Sequence, residues 1–167
     1  QTWQYERFQA HNLAICTGCS SKKAVVVGSA DSCGGGLHIV DLSDKLTPEF
    51  ASCYSDDGYI HDCHCTAYAG ADERFSNRDL CFCAAPEYED SGNGNALVVI
   101  DITDPSSATR VSKTRYPQGS FAHQGWLSSD HRLFFMGDER DELATNHNMS
   151  LRVWDVSNLA SPSLVKR

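Results

Sequence analysis

Short apolar runs closed by turn residues organise this chain, and no stretch carries a helical period. Gly36-Leu37-His38-Ile39-Val40-Asp41-Leu42-Ser43-Asp44 is followed by Ala96-Leu97-Val98-Val99-Ile100-Asp101-Ile102-Thr103-Asp104 and by Ser150-Leu151-Arg152-Val153-Trp154-Asp155-Val156-Ser157-Asn158. Each reads as a β-branched strand that runs into Asp, a hydroxyl residue and a turn-forming Asp or Asn. The aligned acids Asp41, Asp101 and Asp155 lie 60 and 54 residues apart.

A second mark precedes the first in every unit. His11-Asn12, His61-Asp62 and His123-Gln124 each open an apolar segment with a histidine and a carboxamide or carboxylate. Further apolar segments lie between the two marks, at 23–29, 79–84 and 132–136, and after each Asp turn, at 50–54, 109–115 and 163–165. Four strands per unit and three units predict an all-β, β-propeller-type array of three four-stranded antiparallel blades, an incomplete propeller. The expected blades span about 11–54, 61–115 and 121–167. A β-sandwich also has short, evenly spaced strands, but it gives no reason for the His and Asp marks to recur in phase. Closed propellers have about 4–8 blades. The three units are therefore expected to belong to a longer chain or to associate, because uncovered repeat faces stick to one another.

Cysteine changes the picture next. Eight Cys in 167 residues are dense for a reducing cytosol and ordinary for a secreted, disulfide-stapled protein. Cys63 and Cys65 share one face of their strand, as do Cys81 and Cys83. The residue numbers in Cys63–Cys83 and Cys65–Cys81 add to the same total, so one antiparallel register bridges both. Cys33–Cys53 and Cys16–Cys19 complete the expected set. The rival zinc reading joins Cys16-x-x-Cys19 to His61-x-Cys63-His64-Cys65, but strand alternation throws His64 to the opposite face from its neighbours. Gln1 starts the chain as a trimmed or processed chain would start, and Asn148-Met149-Ser150 is its only N-glycosylation sequon. The cysteines and the sequon together lead to the expectation of a protein outside the cell or at its surface.

The excess of 22 Asp plus Glu over 14 Lys plus Arg, net −8, leaves no basic stripe for nucleic acid. The longest aliphatic run, Ala96 to Ile100, is far short of the ~20 residues that insert in a bilayer.

If the first strands line a central axis, their starts meet the ends of the second strands at one rim. This gathers His11, Asn12, His61, Asp62, His123 and Gln124 with Ser29, Glu87, Asp138 and Glu139. The histidines either hydrogen-bond neighbouring blades or join a divalent cation site with Asp62, Asp138 and Glu139 as first ligands. Oxygen ligands suit Ca²⁺, whereas imidazoles suit zinc, copper or iron. Asp41, Asp101 and Asp155 are expected to fix turns, Trp126 and Trp154 to pack between blades, and the acidic run 138–142 to be a solvated connection.

The stretches Cys33-Gly34-Gly35-Gly36-Leu37-His38, Gly58-Tyr59-Ile60-His61-Asp62, Arg78-Asp79-Leu80-Cys81-Phe82, Ala122-His123-Gln124-Gly125-Trp126-Leu127 and Val153-Trp154-Asp155-Val156-Ser157 resemble the choice-of-anchor B family, related to LVIVD-repeat surface β-propellers. The resemblance runs from about His11 to the C-terminus. It implies a secreted or surface-attached propeller with no established catalysis. The resulting expectation is a non-catalytic, extracellular, disulfide-stabilised module with a structural or adhesive role. Its partners are further copies in an oligomer or fibre, further blades, or a cell-surface or glycan ligand. The alternative is a metal-dependent hydrolase or lyase acting on glycans or esters at the rim, with Asp62 and Glu139 as its carboxylates. The sequence has no G-x-S-x-G elbow, P-loop or H-E-x-x-H motif to support an enzyme.

Overall fold

A computed structural model of the chain describes residues 9–86, 94–117, 120–146 and 148–166. Twelve strands form three four-stranded antiparallel sheets, each in simple sequential order. The first holds β1 (Asn12–Ile15), β2 (Lys23–Val27), β3 (Leu37–Asp41) and β4 (Glu49–Tyr54). The second holds β5 (Asp62–Ala67), β6 (Asp79–Ala85), β7 (Ala96–Asp101) and β8 (Thr109–Arg115). The third holds β9 (Ala122–Leu127), β10 (Leu133–Asp138), β11 (Leu151–Asp155) and β12 (Ser163–Lys166). The architecture is an incomplete, three-bladed propeller.

The repeat has a structural counterpart in every sheet. Asp41, Asp101 and Asp155 each accept the backbone N–H two residues on, from Ser43 at 2.7 Å, Thr103 at 2.9 Å and Ser157 at 2.8 Å. Such side-chain acceptance fixes the turn after the strand. The pairing of third and fourth strands shifts register at the same place each time, after Ile39, Val99 and Val153. A bulge there adds local twist.

The sheets stack face to face. Val25, Val27, Leu37, Ile39 and Tyr54 of the first meet Cys63, Cys65, Cys81, Val98 and Ile100 of the second. The opposite face of the second sheet, with Leu80, Phe82, Leu97 and Val99, meets Phe134, Met136 and Trp154 of the third. This is why β6 and β7 are buried along their whole length: the middle blade is covered on both faces. The first strands meet one another, with β5 packed against both β1 and β9.

All eight cysteines are paired, as Cys16–Cys19, Cys33–Cys53, Cys63–Cys83 and Cys65–Cys81. The last two lie in one register of β5 on β6. Cysteines 16, 19, 63 and 65 are thus spent in disulfides and leave no thiolate for the zinc cluster weighed above.

The acidic run differs from a solvated connection. Asp138 and Asp141 are buried with Arg152, and Asp141–Thr145 forms a short helix, α1. Arg152 lies 3.3 Å from Asp138 and 3.5 Å from Asp141, and its guanidinium sits over the Tyr116 ring. A buried cation needs this company to offset its lost hydration.

Candidate functional site

The rim where β1, β5 and β9 begin brings His11, His61 and His123 together. One ring nitrogen or the other from each lies within 4.8 Å of those of its fellows. The rings of His11 and His61 are 4.5 Å apart between centroids, and those of His61 and His123 are 4.4 Å apart. Backbone bonds set this spacing: His11 N–H donates to Val27 O at 3.2 Å and His61 N–H to Ala84 O at 2.9 Å. Gly28 lies against His11 at φ +71, where a Cβ would stand 2.5 Å from that of His11. Only glycine allows so close an approach.

His61 is buried, His123 half-buried and His11 exposed. Nδ1 of His61 lies 3.0 Å from the carbonyl oxygen of His123. A carbonyl only accepts, so Nδ1 carries the proton and Nε2 the lone pair in the neutral ring. Burial, with the neighbouring imidazoles His123 and His11 adding to it, holds the His61 pKa below its ordinary value, against the opposing pull of that hydrogen bond. The amide of Asn12 donates to His61 O at 3.2 Å, and the Gln124 carboxamide meets Nδ1 of His123.

The carboxylates divide. Glu139 is exposed, with its Oε2 at 3.7 Å from Nε2 of His123. Asp62 is half-buried; burial holds its pKa above the ordinary carboxylate value, against the opposing pull of the Cys63 backbone bond and of the nearby His123 and His11. Asp138 is turned away, accepting Ser120 N–H and Phe121 N–H at 3.0 Å each beside Arg152. The structure therefore brings together three imidazoles with Glu139 and Asp62 nearby, and it leaves Asp138 in a structural ion cluster. Ser29 is buried, and Glu87 lies outside the described residues. A cavity of about 320 Å³ adjoins the rim, lined by His123, Gln124, Glu139 and Leu151 among others. Asn148 of the sequon is exposed, between α1 and β11.

His64 points the other way, toward the third sheet, where it stacks on Trp126 with centroids 3.9 Å apart. Its Nδ1 accepts the Leu127 N–H at 3.1 Å, which requires a neutral ring. Burial, aided by His131, pushes its pKa down to about 4. An unfolded histidine titrates near 6.5, so below that pH the unfolded state binds more protons. The contribution of His64 is complete above about pH 6.5 and is lost as the pH falls toward 4. The melting temperature is expected to drop across this window in the wild type. In His64→Phe, which keeps the stacking and lacks the titrating nitrogen, the drop is expected to be shallower; an equal slope would assign the effect elsewhere.

Two contacts between blades and one within the third blade went unread in the sequence. Lys23 meets Asp79 at 2.7 Å, both buried; Asp57 meets Arg110 at 2.7 Å; and Asp138 meets Arg152. The sequence signal for the first was a lysine at a strand position that otherwise carries leucine.

Three stretches, residues 30–56, 92–114 and 145–167, match the LVIVD repeat family model. They cover β3 with β4, β7 with nearly all of β8, and β11 with β12. The matched unit is thus the outer half of each sheet, containing the Asp turn and the bulge. A search of curated proteins returns no match to the chain.

Proposed function

We propose that this chain is a non-catalytic extracellular module of choice-of-anchor B type, and that its two outer blade faces take up the matching faces of a second copy. Four disulfides and three LVIVD repeats fit such a propeller module. An oxidising compartment outside the cell favours this many disulfides, and a glycan on exposed Asn148 is compatible with it. Among the described residues, no helix is long and apolar enough to cross a membrane.

The carrying observation is the apolar surface at both ends of the stack. Leu13 and Ile15 alternate with core-facing Ala14 and are 61% and 59% exposed, while Trp126 and Leu151 on the third sheet are 68% and 57% exposed. Such patches mark interaction surfaces. By repeat equivalence, the free face of the first sheet matches the face of the second that packs on the first. It therefore fits the free face of a third sheet, head to tail. Two copies supply six blades, inside the range that closes a ring; if the rotation does not close, the same contact gives a filament. A structural or adhesive role follows from such assembly.

Sedimentation velocity of the oxidised chain is expected to give twice the chain mass or more. Ile15→Lys and Leu151→Lys are each expected to yield monomer with unchanged β-sheet circular dichroism. A wild-type monomer at tens of micromolar would overturn the reading.

A further inference from the structure

We infer that His11, His61 and His123 form a binding site for one first-row transition ion, zinc foremost, that ties the inner strands of the three blades together. The three imidazoles come from three different sheets, 50 and 62 residues apart in sequence, yet their nitrogens lie within 4.8 Å. Imidazoles from three separate blades that converge in this way offer nitrogen donors to a single ion.

The second observation is the orientation of the buried member. His61 donates Nδ1–H to the backbone carbonyl of His123. This is the outer-sphere bond by which ligand histidines are held with the other nitrogen ready for metal. Negative charge lies alongside, in exposed Glu139 at 3.7 Å from His123 Nε2. The adjoining cavity, also lined by His123 and Glu139, gives an ion a way in and leaves room for water in a fourth position.

The donor set chooses the ion. Three neutral nitrogens suit zinc or copper and are poor for Ca²⁺, which takes oxygen. Nitrogens about 2.0–2.1 Å from zinc sit roughly 3.3 Å from one another. The cluster must therefore close by up to about 1.5 Å, which side-chain rotation at exposed His11 and half-buried His123 supplies. Every cysteine is oxidised, so the site is free of thiolate.

Zinc chloride titrated calorimetrically into the metal-free, oxidised chain is expected to bind one ion per chain. His11→Gln, at an exposed position, is expected to weaken binding by about 100-fold or more, and His131→Asn, away from the rim, to leave it unchanged. Cobalt in place of zinc is expected to show d–d bands without a thiolate charge-transfer band. In wild type, imidazole ¹⁵N spectra are expected to shift for these three histidines on adding zinc and to keep His61 Nδ1 protonated. No stoichiometric uptake, uptake indifferent to His11→Gln, or shifts confined to other histidines would each overturn the site. The association of copies is read by mass, so the two proposals fail separately.

Discussion

Asp79→Ala is expected to destabilise the chain by about 3–5 kcal/mol, the usual result of stranding one member of a buried ion pair. Lys23 Nζ donates to Asp79 Oδ2 at 2.7 Å, to Ile102 O at 2.9 Å and to Thr103 O at 3.2 Å. Asp79 also accepts Ser20 N–H at 3.1 Å and Ser20 Oγ–H at 2.6 Å. Burial pushes the Asp79 pKa up, but the bonds from Lys23 and Ser20 outweigh it and hold the group below the ordinary value. The pair joins β2 of the first blade to β6 of the second, so its loss removes one tie between the two blades. Replacing both partners, Lys23→Met with Asp79→Leu, is expected to recover most of the loss, since an apolar pair needs no counter-charge. Urea denaturation of the single and the double variant checks this. Equal losses in the single and double variants would mean that side-chain volume, not charge, is at stake.

Reduction of the four disulfides is expected to leave the chain unfolded at 37 °C. A bridge typically contributes about 2–4 kcal/mol by restricting the unfolded chain, against a total stability of about 5–15 kcal/mol for a domain. Cys63–Cys83 and Cys65–Cys81 close separations of 20 and 16 residues in the hairpin that forms the centre of both cores. Their loss is expected to matter most, and loss of Cys16–Cys19, with a separation of 3, least. Circular dichroism after reduction and alkylation is the measurement. A chain that keeps its native β signal and melting point would show that packing alone holds the blades.

The blade pattern was legible because it is what the three units share. Asp41, Asp101 and Asp155 recur since each strand must end in the same turn, and the first-strand histidines recur since each blade starts at the same axis. The contacts between blades were illegible for the converse reason. Lys23 pairs with Asp41 where Leu80 and Leu133 pair with Asp101 and Asp155, so the clasp rests on a departure from the repeat. Asp138 looked like a rim ligand because it ends a second strand. Backbone N–H groups of Ser120 and Phe121, with Arg152 from β11, capture its carboxylate, and no spacing in the sequence reports that. The convergence of three imidazoles was expected from strand order, but the His61 tautomer depends on a backbone carbonyl of another blade.

The blade arrangement itself is tested most directly by proton NOEs among the histidine rings of the metal-free chain. Stacked blades with first strands at one axis predict cross-peaks from His61 to His11, to His123 and to the Phe121 ring, whose centroid is 5.2 Å away. A His61 ring with cross-peaks only to residues of its own sheet would contradict the packing on which the rim, the proposed metal site and the proposed docking faces all depend.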